Sequence, residues 1–215
     1  MTAGGARLPK LSAALAGVPA CVQTHGPWAG RRQLQVRFAD EAETAIIHTA
    51  TSLRAEIARL VARSGYHSVT IAGRDPLAEA DFLAAAFGGA RTIPVMLEHD
   101  GQRPDALRTM LALLDLVQVT VDGTEHDAAL ERVAESLASA AAAGVAHALV
   151  IVPAEGASDA QLLRVVEQAH AASPAVSILL QPSQESASNA DRRWELWLER
   201  AAAVHDDVRL LPVSS

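Results

Sequence analysis

"LVQVTVDGTEHDAALERVAESLASAAAAGVAHALVIVPA", residues 116–154, contains one complete strand–helix–strand unit. Two apolar runs rich in β-branched residues, "LVQVTV" and "HALVIV", stand on either side of a long helical pattern. Strands joined in this way lie parallel in one sheet, and their connection is right-handed. The stretch therefore predicts an α/β protein built on a parallel sheet.

The same alternation of strands and helices extends along the chain from residue 34. The runs are mostly continuously apolar, which is typical of parallel strands that are covered on both faces. Further strands are predicted at "LQVRFA" (34–39), "SVTIAG" (68–73), "TIPVMLEHDG" (92–101), "AVSILLQP" (175–182) and "DVRLLPV" (207–213), with helical patterns between them.

The number of these units favours an open barrel. Six or seven units in 215 residues fall short of the eight units and about 250 residues of a closed barrel. The glycine-rich dinucleotide fingerprint is absent after the strand at 34–39. We therefore predict a partial (βα)6-type TIM barrel with outer helices. It forms a single domain over residues 1–215, in which residues 1–33 are an N-terminal extension and first strand region.

Composition excludes several classes of function. The formal charge of -7 leaves no basic patch for a phosphate backbone, so nucleic acid is not an expected partner. No apolar run reaches the length of a membrane span and no signal segment opens the chain, which predicts a cytoplasmic protein. The single cysteine, Cys21, allows neither an internal disulfide nor a site made of several thiolates.

Several motifs in order resemble the radical S-adenosylmethionine superfamily, and within it the 7-carboxy-7-deazaguanine synthases. The stretch "CVQTHGPWAGRR" (21–32) is similar to the family's "SIQGEGP..GRP", and "LQVRFADE" (34–41) is similar to "FVRLAGC". Later, "GRDP" (73–76) stands for "GGEP", "EHDG" (98–101) stands for "ETNG", and "LQP" (180–182) is kept. The resemblance covers nearly the whole chain and implies a partial barrel.

The resemblance also shows what this chain lacks. In the family, three cysteines spaced C-x3-C-x2-C bind a [4Fe–4S] cluster that cleaves S-adenosylmethionine. Aligning the chain on Arg37 places Glu41, Ala45 and His48 at the cysteine positions. Iron–sulfur clusters are held by thiolates, and these three side chains cannot replace them. We therefore predict a degenerate member of the superfamily, with no iron–sulfur cluster and no radical chemistry.

Binding of S-adenosylmethionine is also disfavoured. Arg74 replaces a glycine of "GGEP", and a long cationic side chain fills the space and repels an ammonium group. Two interpretations of Arg74 and Asp75 remain. The two residues form an internal ion pair that fills the vacated cofactor site, which we favour, or they bind an anionic ligand there.

His25, Glu41 and His48 are the candidate catalytic residues. Imidazole and carboxylate groups suit acid–base chemistry or a mononuclear zinc, iron(II) or manganese site, although no confident metal ligand set is present. The alternative is that a loop freed from holding a cluster now carries ordinary solvated side chains. Ala45, which is no ligand, supports the alternative.

Four further residues are candidates for substrate binding. The resemblance implies that Gln23 and Arg37 belong to the substrate pocket and that Gln181 lies at a strand end nearby. His25 stands where the family has glutamate, so the substrate is expected to differ. His99 ends a strand and is a weaker candidate. The alternative for Arg37 is a strand arginine that pairs with a carboxylate of the barrel.

Three functions follow from this combination of features. We favour a former radical enzyme now used for non-radical small-molecule chemistry in a specialised biosynthetic pathway, with its substrate at the C-terminal ends of the strands. The alternatives are a catalytically silent pseudoenzyme that scaffolds or regulates a pathway protein partner, and a non-radical S-adenosylmethionine binder. Trp194 and Trp197 share one helix face, which predicts a core stripe or, as an alternative, the interface of a homodimer.

Overall fold

A computed structural model describes residues 12–182 and 191–211. The strands are β1 (Ser12–Gly17), β2 (Ala20–Val22), β3 (Arg32–Phe38), β4 (Ile46–Thr49), β5 (Ser68–Gly73), β6 (Val95–His99), β7 (Leu116–Val121), β8 (Ala146–Ile151), β9 (Ser177–Leu180) and β10 (Val208–Leu210). The helices are α1 (Ala50–Arg63), α2 (Ala80–Phe87), α3 (Pro104–Met110), α4 (Asp127–Ala142), α5 (Asp159–Ala172) and α6 (Asp191–Ala202), with short 3-10 turns at Pro76–Glu79 and Leu111–Leu113.

One mostly parallel sheet runs through the described residues, and it confirms the predicted α/β class. Strands β3 and β5 to β10 lie side by side in chain order, each parallel to the next. At the other end, β1 pairs antiparallel with β3 and with β4. The sheet runs from β10 to β4, and these end strands do not pair with each other. This open arrangement is consistent with a TIM-barrel-like fold.

The helices pack in a single row against one face of the sheet. Each of α1 to α5 contacts the helix that follows it in the chain. Val36, Ile71, Leu97 and Val119 project from successive strands into the main apolar cluster, which the helices complete. A doubly wound sheet would carry helices on both faces, so this arrangement favours the barrel-like interpretation. Because side chains alternate along a strand, the intervening residues point to the opposite face, which we call the inner face.

Strands β1 and β2 lie within residues 1–33, the predicted N-terminal extension and first strand region, whereas β4 was not predicted. We interpreted the segment after β3 as a loop, and this is wrong for Ile46–Thr49, which is strand β4. Two isoleucines and a threonine favour extended backbone, and β1 offers a free edge for pairing, with His48 opposite Ala13. The predicted single domain also includes residues 1–11, 183–190 and 212–215, which lie outside the described residues.

Helix α1 begins directly after β4. Thr49, the last residue of that strand, caps the helix and accepts a hydrogen bond from the Ser52 amide at 3.1 Å. The Ser52 hydroxyl in turn accepts from the Thr49 amide at 2.9 Å, which completes a capping box. Thr49 has this role because β4, which was not predicted, delivers the chain in extended form directly to the helix.

Trp194 and Trp197 belong to the protein core. They are 3% and 0% exposed and are part of the main apolar cluster. The core interpretation is confirmed, and the alternative that these side chains form an interface between subunits is wrong because the protomer itself covers them. Within residues 12–182 and 191–211, the helices are too short or too polar for any of them to cross a bilayer.

Candidate functional site

The inner face of the sheet carries a chain of buried polar side chains. Gln33 on β3 and Thr70 on β5 are 1% and 0% exposed. The Thr70 hydroxyl donates to the Gln33 side-chain oxygen, and the Gln33 amide donates to the side-chain oxygen of Gln23. These bonds connect the segment that precedes β3 to the middle of the sheet. Gln23, a predicted substrate-binding residue, therefore lies in the interior of the protein.

Residues 23–31, which we call the inner loop, extend across this face. Backbone hydrogen bonds close the loop, from the Gln23 amide to the Arg31 carbonyl at 2.9 Å and from the Gly30 amide to the Gln23 carbonyl at 2.8 Å. Gly26 has a φ of 78° and lies so close to Gln118 that a Cβ at Gly26 would be 1.7 Å from the Gln118 side-chain oxygen. The inner loop therefore reaches the central strand β7.

His25 and Glu98 form a hydrogen-bonded pair in this interior. The Nε2 of His25 lies 2.7 Å from Oε1 of Glu98, and the two side chains are 27% and 19% exposed. The hydrogen bond to Glu98 raises the pKa of His25 above its ordinary value, although burial opposes the shift. Thr24 Oγ1 lies 3.0 Å from the other ring nitrogen. The pair therefore offers a proton donor and a carboxylate in direct contact.

Several buried polar atoms around the pair have no hydrogen-bond partner among the described residues. Both side-chain amide atoms of Gln118 are in this state, as are Oε1 of Gln181, Nε2 of Gln23 and Oγ1 of Thr120. Gln181 uses its amide nitrogen for a long contact of 3.5 Å with the Thr24 carbonyl. A buried polar group without a partner costs about 1–3 kcal/mol. Such atoms are suited to a polar ligand or water, since either would supply the partners that residues 12–182 and 191–211 do not.

A second group of charged residues lies at the C-terminal ends of β3 and β5. Arg37 binds Glu43 through two contacts, of 2.9 and 2.7 Å. The alternative interpretation expected Arg37 to pair with a carboxylate of the barrel. Arg37 does pair with a carboxylate, but Glu43 lies in the loop after β3. The Glu43 hydrogen bond raises the pKa of Arg37, and the same bond lowers the pKa of Glu43.

Arg74 and Asp75 each pair with a different residue. Nη1 of Arg74 lies 2.7 Å from Oε1 of Glu41. The carboxylate of Asp75 accepts from Nε of Arg103 at 2.7 and 2.9 Å and from Nη2 at 2.5 Å. The favoured interpretation, an ion pair between Arg74 and Asp75, is therefore wrong, because each of the two residues pairs with a different partner. Asp75 has a φ of 42°, which turns the chain sharply after β5.

The three candidate catalytic residues are not brought together. His25 contacts Glu98, Glu41 contacts Arg74, and Nδ1 of His48 lies 3.7 Å from Oε2 of Glu56. Over residues 12–182 and 191–211, no group of three or more His, Cys, Asp or Glu side chains is placed to bind a metal ion. The mononuclear metal site stays a prediction from sequence without geometric support.

The positions that match the family's cluster ligands do not fit an iron–sulfur cluster. Glu41 is engaged with Arg74, Ala45 is an exposed methyl group, and His48 belongs to an edge strand. The single thiol, Cys21, lies on β2, where its sulfur accepts from the Gln33 amide at 3.6 Å. Cluster ligation needs thiolates that converge on one point, and these residues provide neither the thiolates nor the convergence.

His99 lies apart from the inner face. It follows Leu97 at an interval of two, so its ring points toward the helices. Its Nδ1 accepts from the Gly101 amide at 3.1 Å, and Nε2 has no partner among the described residues. Burial lowers the pKa of His99 to about 4. His99 is therefore a neutral ring that orders the turn after β6, separate from the His25–Glu98 pair.

Sequence reasoning missed Glu98 and Gln118 as site residues. Both are polar residues inside otherwise apolar strands, in "VMLEH" and "LVQVTV". A carboxylate or amide in a buried strand needs a partner, so the sequence did indicate that Glu98 and Gln118 have one. The sequence did not identify the partner of Glu98, because His25 lies 73 residues away from it in the chain.

An open parallel sheet with one outer row of helices defines a TIM-barrel-like class of α/β protein. No family model matches the chain, and no curated protein matches it in sequence.

Among solved structures, the chain is similar to QueE from Escherichia coli, a 7-carboxy-7-deazaguanine synthase. The TM-score is 0.55 at 15% identity, and the match covers 93% of each chain. A putative fructose-1,6-biphosphate aldolase from Coccidioides immitis also matches, with a TM-score of 0.32 at 17% identity over 74% of this chain and 68% of that one. The similarity to QueE shows that this chain shares the fold of that enzyme, and the sequence motifs predicted a fold of this kind.

Proposed function

We propose that this protein carries out non-radical, acid–base chemistry on a small polar molecule, in a (βα)6-type partial barrel that has lost the iron–sulfur cluster. The observation that carries the proposal is the contact of 2.7 Å between His25 and Glu98 in a polar interior. A histidine beside a carboxylate is a common arrangement for moving protons near neutral pH. No step of the proposed chemistry requires a metal ion.

The pair would work through the proton that His25 holds. Hydrogen bonding to Glu98 raises the pKa of His25, so the imidazolium is populated closer to neutral pH than in a free histidine. The imidazolium can donate a proton to a substrate, while Glu98 orients the ring and stabilises its charge. After donation, the neutral ring is suited to accept a proton and restore the pair.

The surrounding amides support a small polar or heterocyclic substrate. Gln118, Gln181 and Gln23 together leave donors and acceptors without partners in the described part of the chain, and these atoms are buried. The formal charges of His25 and Glu98 cancel, so the amides favour a neutral molecule with its own donor and acceptor groups. The ligand is therefore expected to satisfy the amides and to approach the His25 ring.

Loss of either member of the pair is expected to reduce turnover by at least about 100-fold, the usual contribution of a general acid or base. Small polar heterocycles and carboxamides would first be screened for binding by thermal shift. Molecules that bind would then be assayed for turnover with the wild type, His25→Gln and Glu98→Gln. His48→Gln is the control, because His48 lies on edge strand β4. A substrate that both variants convert at the wild-type rate would contradict the proposal.

The same variants test the electrostatics of the pair without any substrate. Because the pKa of His25 is raised in the folded protein, protonated His25 stabilises the fold below the ordinary histidine pKa of about 6.5, and this contribution is lost as the pH rises through the raised value. Glu98→Gln is therefore expected to lower the free energy of unfolding by about 1–2 kcal/mol at pH 6 and by less at pH 9.

Urea denaturation at both pH values, with an NMR titration of the His25 ring, would measure this effect. Glu56→Gln is the matched control, because Glu56 stands beside His48 and not beside His25. The control should leave the titration of His25 unchanged. An equal loss of stability at pH 6 and pH 9 for Glu98→Gln would show that protonated His25 does not stabilise the fold through Glu98.

A further inference from the structure

A cleft separate from the His25–Glu98 pair opens at the C-terminal ends of β3 and β5. Its volume is about 280 Å³, and Ala14, Phe38, Ala39, Arg74, Asp75, Ala78 and Glu79 line it. Ligands of parallel α/β sheets bind at this edge, where the strands end and the loops begin. The cleft therefore has the location of a binding site, and its lining combines the guanidinium of Arg74 and the carboxylates of Asp75 and Glu79 with apolar groups.

The guanidinium of Arg74 is held more weakly than its two neighbours. Arg37 and Arg103 each make paired contacts with a carboxylate, to Glu43 and to Asp75. Among the residues that the structure describes, Arg74 has one ion-pair contact, with Glu41, and the two side chains are 52% and 84% exposed. Ion pairs exposed to this degree contribute little, because water competes for both partners. Arg74 can therefore exchange Glu41 for another carboxylate at low cost.

The contact with Glu41 shows that the Arg74 guanidinium can bind a carboxylate. It approaches from the loop after β3 and places a carboxylate oxygen 2.7 Å from the arginine. A separate molecule with a carboxylate could make the same contact, and its body would then lie over Ala39, Ala78 and the edge of Phe38. Asp75 adds no uncompensated charge to the cleft, because Arg103 neutralises it.

We propose that this cleft is a binding site for a small monocarboxylate with a short apolar body, that Arg74 is its anchor, and that Glu41 occupies the anchor when no ligand is bound. Glu41 then acts as an internal competitor that ligand binding displaces. The site is independent of the chemistry proposed for His25 and Glu98, and neither of those residues lines the cleft. Failure of one proposal leaves the other intact.

Butanoate is a suitable probe, because it combines one carboxylate with a three-carbon apolar chain. Binding to the full chain would be followed by NMR titration, with inorganic phosphate as the comparison anion. Glu41→Gln removes the competing charge at almost constant shape. It is expected to tighten butanoate binding about three- to fivefold, the range that corresponds to an exposed ion pair. Arg74→Gln is expected to abolish saturable binding.

Arg91→Gln is the matched control, because Arg91 also forms an exposed ion pair, with Asp115, away from this cleft. It should bind butanoate as the wild type does, and circular dichroism would confirm that each variant is folded. Butanoate binding that persists in Arg74→Gln, or that is no tighter in Glu41→Gln, would overturn the proposal. Phosphate that binds as tightly as butanoate would overturn the assignment to a monocarboxylate.

Discussion

Replacing Trp197 by alanine is expected to lower the free energy of unfolding by about 3–5 kcal/mol, the range measured when large aromatic residues are truncated in cores. Trp197 is 0% exposed and is among the largest fully buried side chains of the protein. It lies on α6, which packs against α5 and β10. Its loss leaves a cavity that rigid neighbours on a helix and a sheet can fill only in part.

The effect of Trp197→Ala would be measured by urea denaturation followed by circular dichroism. Leu196→Ala is the control, because Leu196 is the adjacent residue of α6 and is 46% exposed. The control is expected to change stability by no more than about 0.5 kcal/mol. If the two variants were equally stable, α6 would not be packed as the structure describes.

Replacing Gly73 by alanine is expected to cost about 2–4 kcal/mol, because backbone strain and steric overlap act together. Gly73 ends β5 with a φ of 99°, a conformation that side chains with a Cβ rarely adopt. A Cβ at this position would lie 2.4 Å from the carbonyl oxygen of Phe38. That atom is backbone of β3, so relief of the clash requires β3 and β5 to separate at their C-terminal ends.

Gly30→Ala separates the two contributions to this cost. Gly30 also has a positive φ, of 81°, but a Cβ there meets no atom within 4 Å. Its substitution should therefore report backbone strain alone, about 1 kcal/mol. Urea denaturation of both variants measures the difference, and equal losses would mean that β3 and β5 do not approach as closely as described. Because Gly73 precedes Arg74, Gly73→Ala should also weaken butanoate binding.

The sequence predicted those parts of the fold that depend on local patterns. The runs that became β5 to β9 are four to six residues long, are mostly apolar and are separated by helical patterns, and each of them formed as expected. β4 was missed because only four residues form it and its pairing with β1 joins segments more than thirty residues apart. Periodicity cannot reveal a strand whose main support is a distant edge.

For the candidate site, the sequence identified single residues but not their partners. His25, Glu41, Arg37 and Arg74 were chosen from motifs, and all four make ionic contacts in the structure. Glu98, which gives His25 its proposed role, was not chosen. Strand β4 places His48 beside Glu56, whereas Glu41 contacts Arg74, so the mononuclear metal site stays a prediction from sequence.

The sequence by itself determined that this protein is an α/β chain of parallel strands and that it lacks the three thiolates a cluster requires. These properties follow from the order and chemistry of neighbouring residues. Only the tertiary structure decided that His25 meets Glu98 and that Glu41 meets Arg74. Such contacts depend on how the inner loop and the strand ends pack together. Packing brings together residues that are far apart in the chain, and the sequence alone does not show which of them will meet.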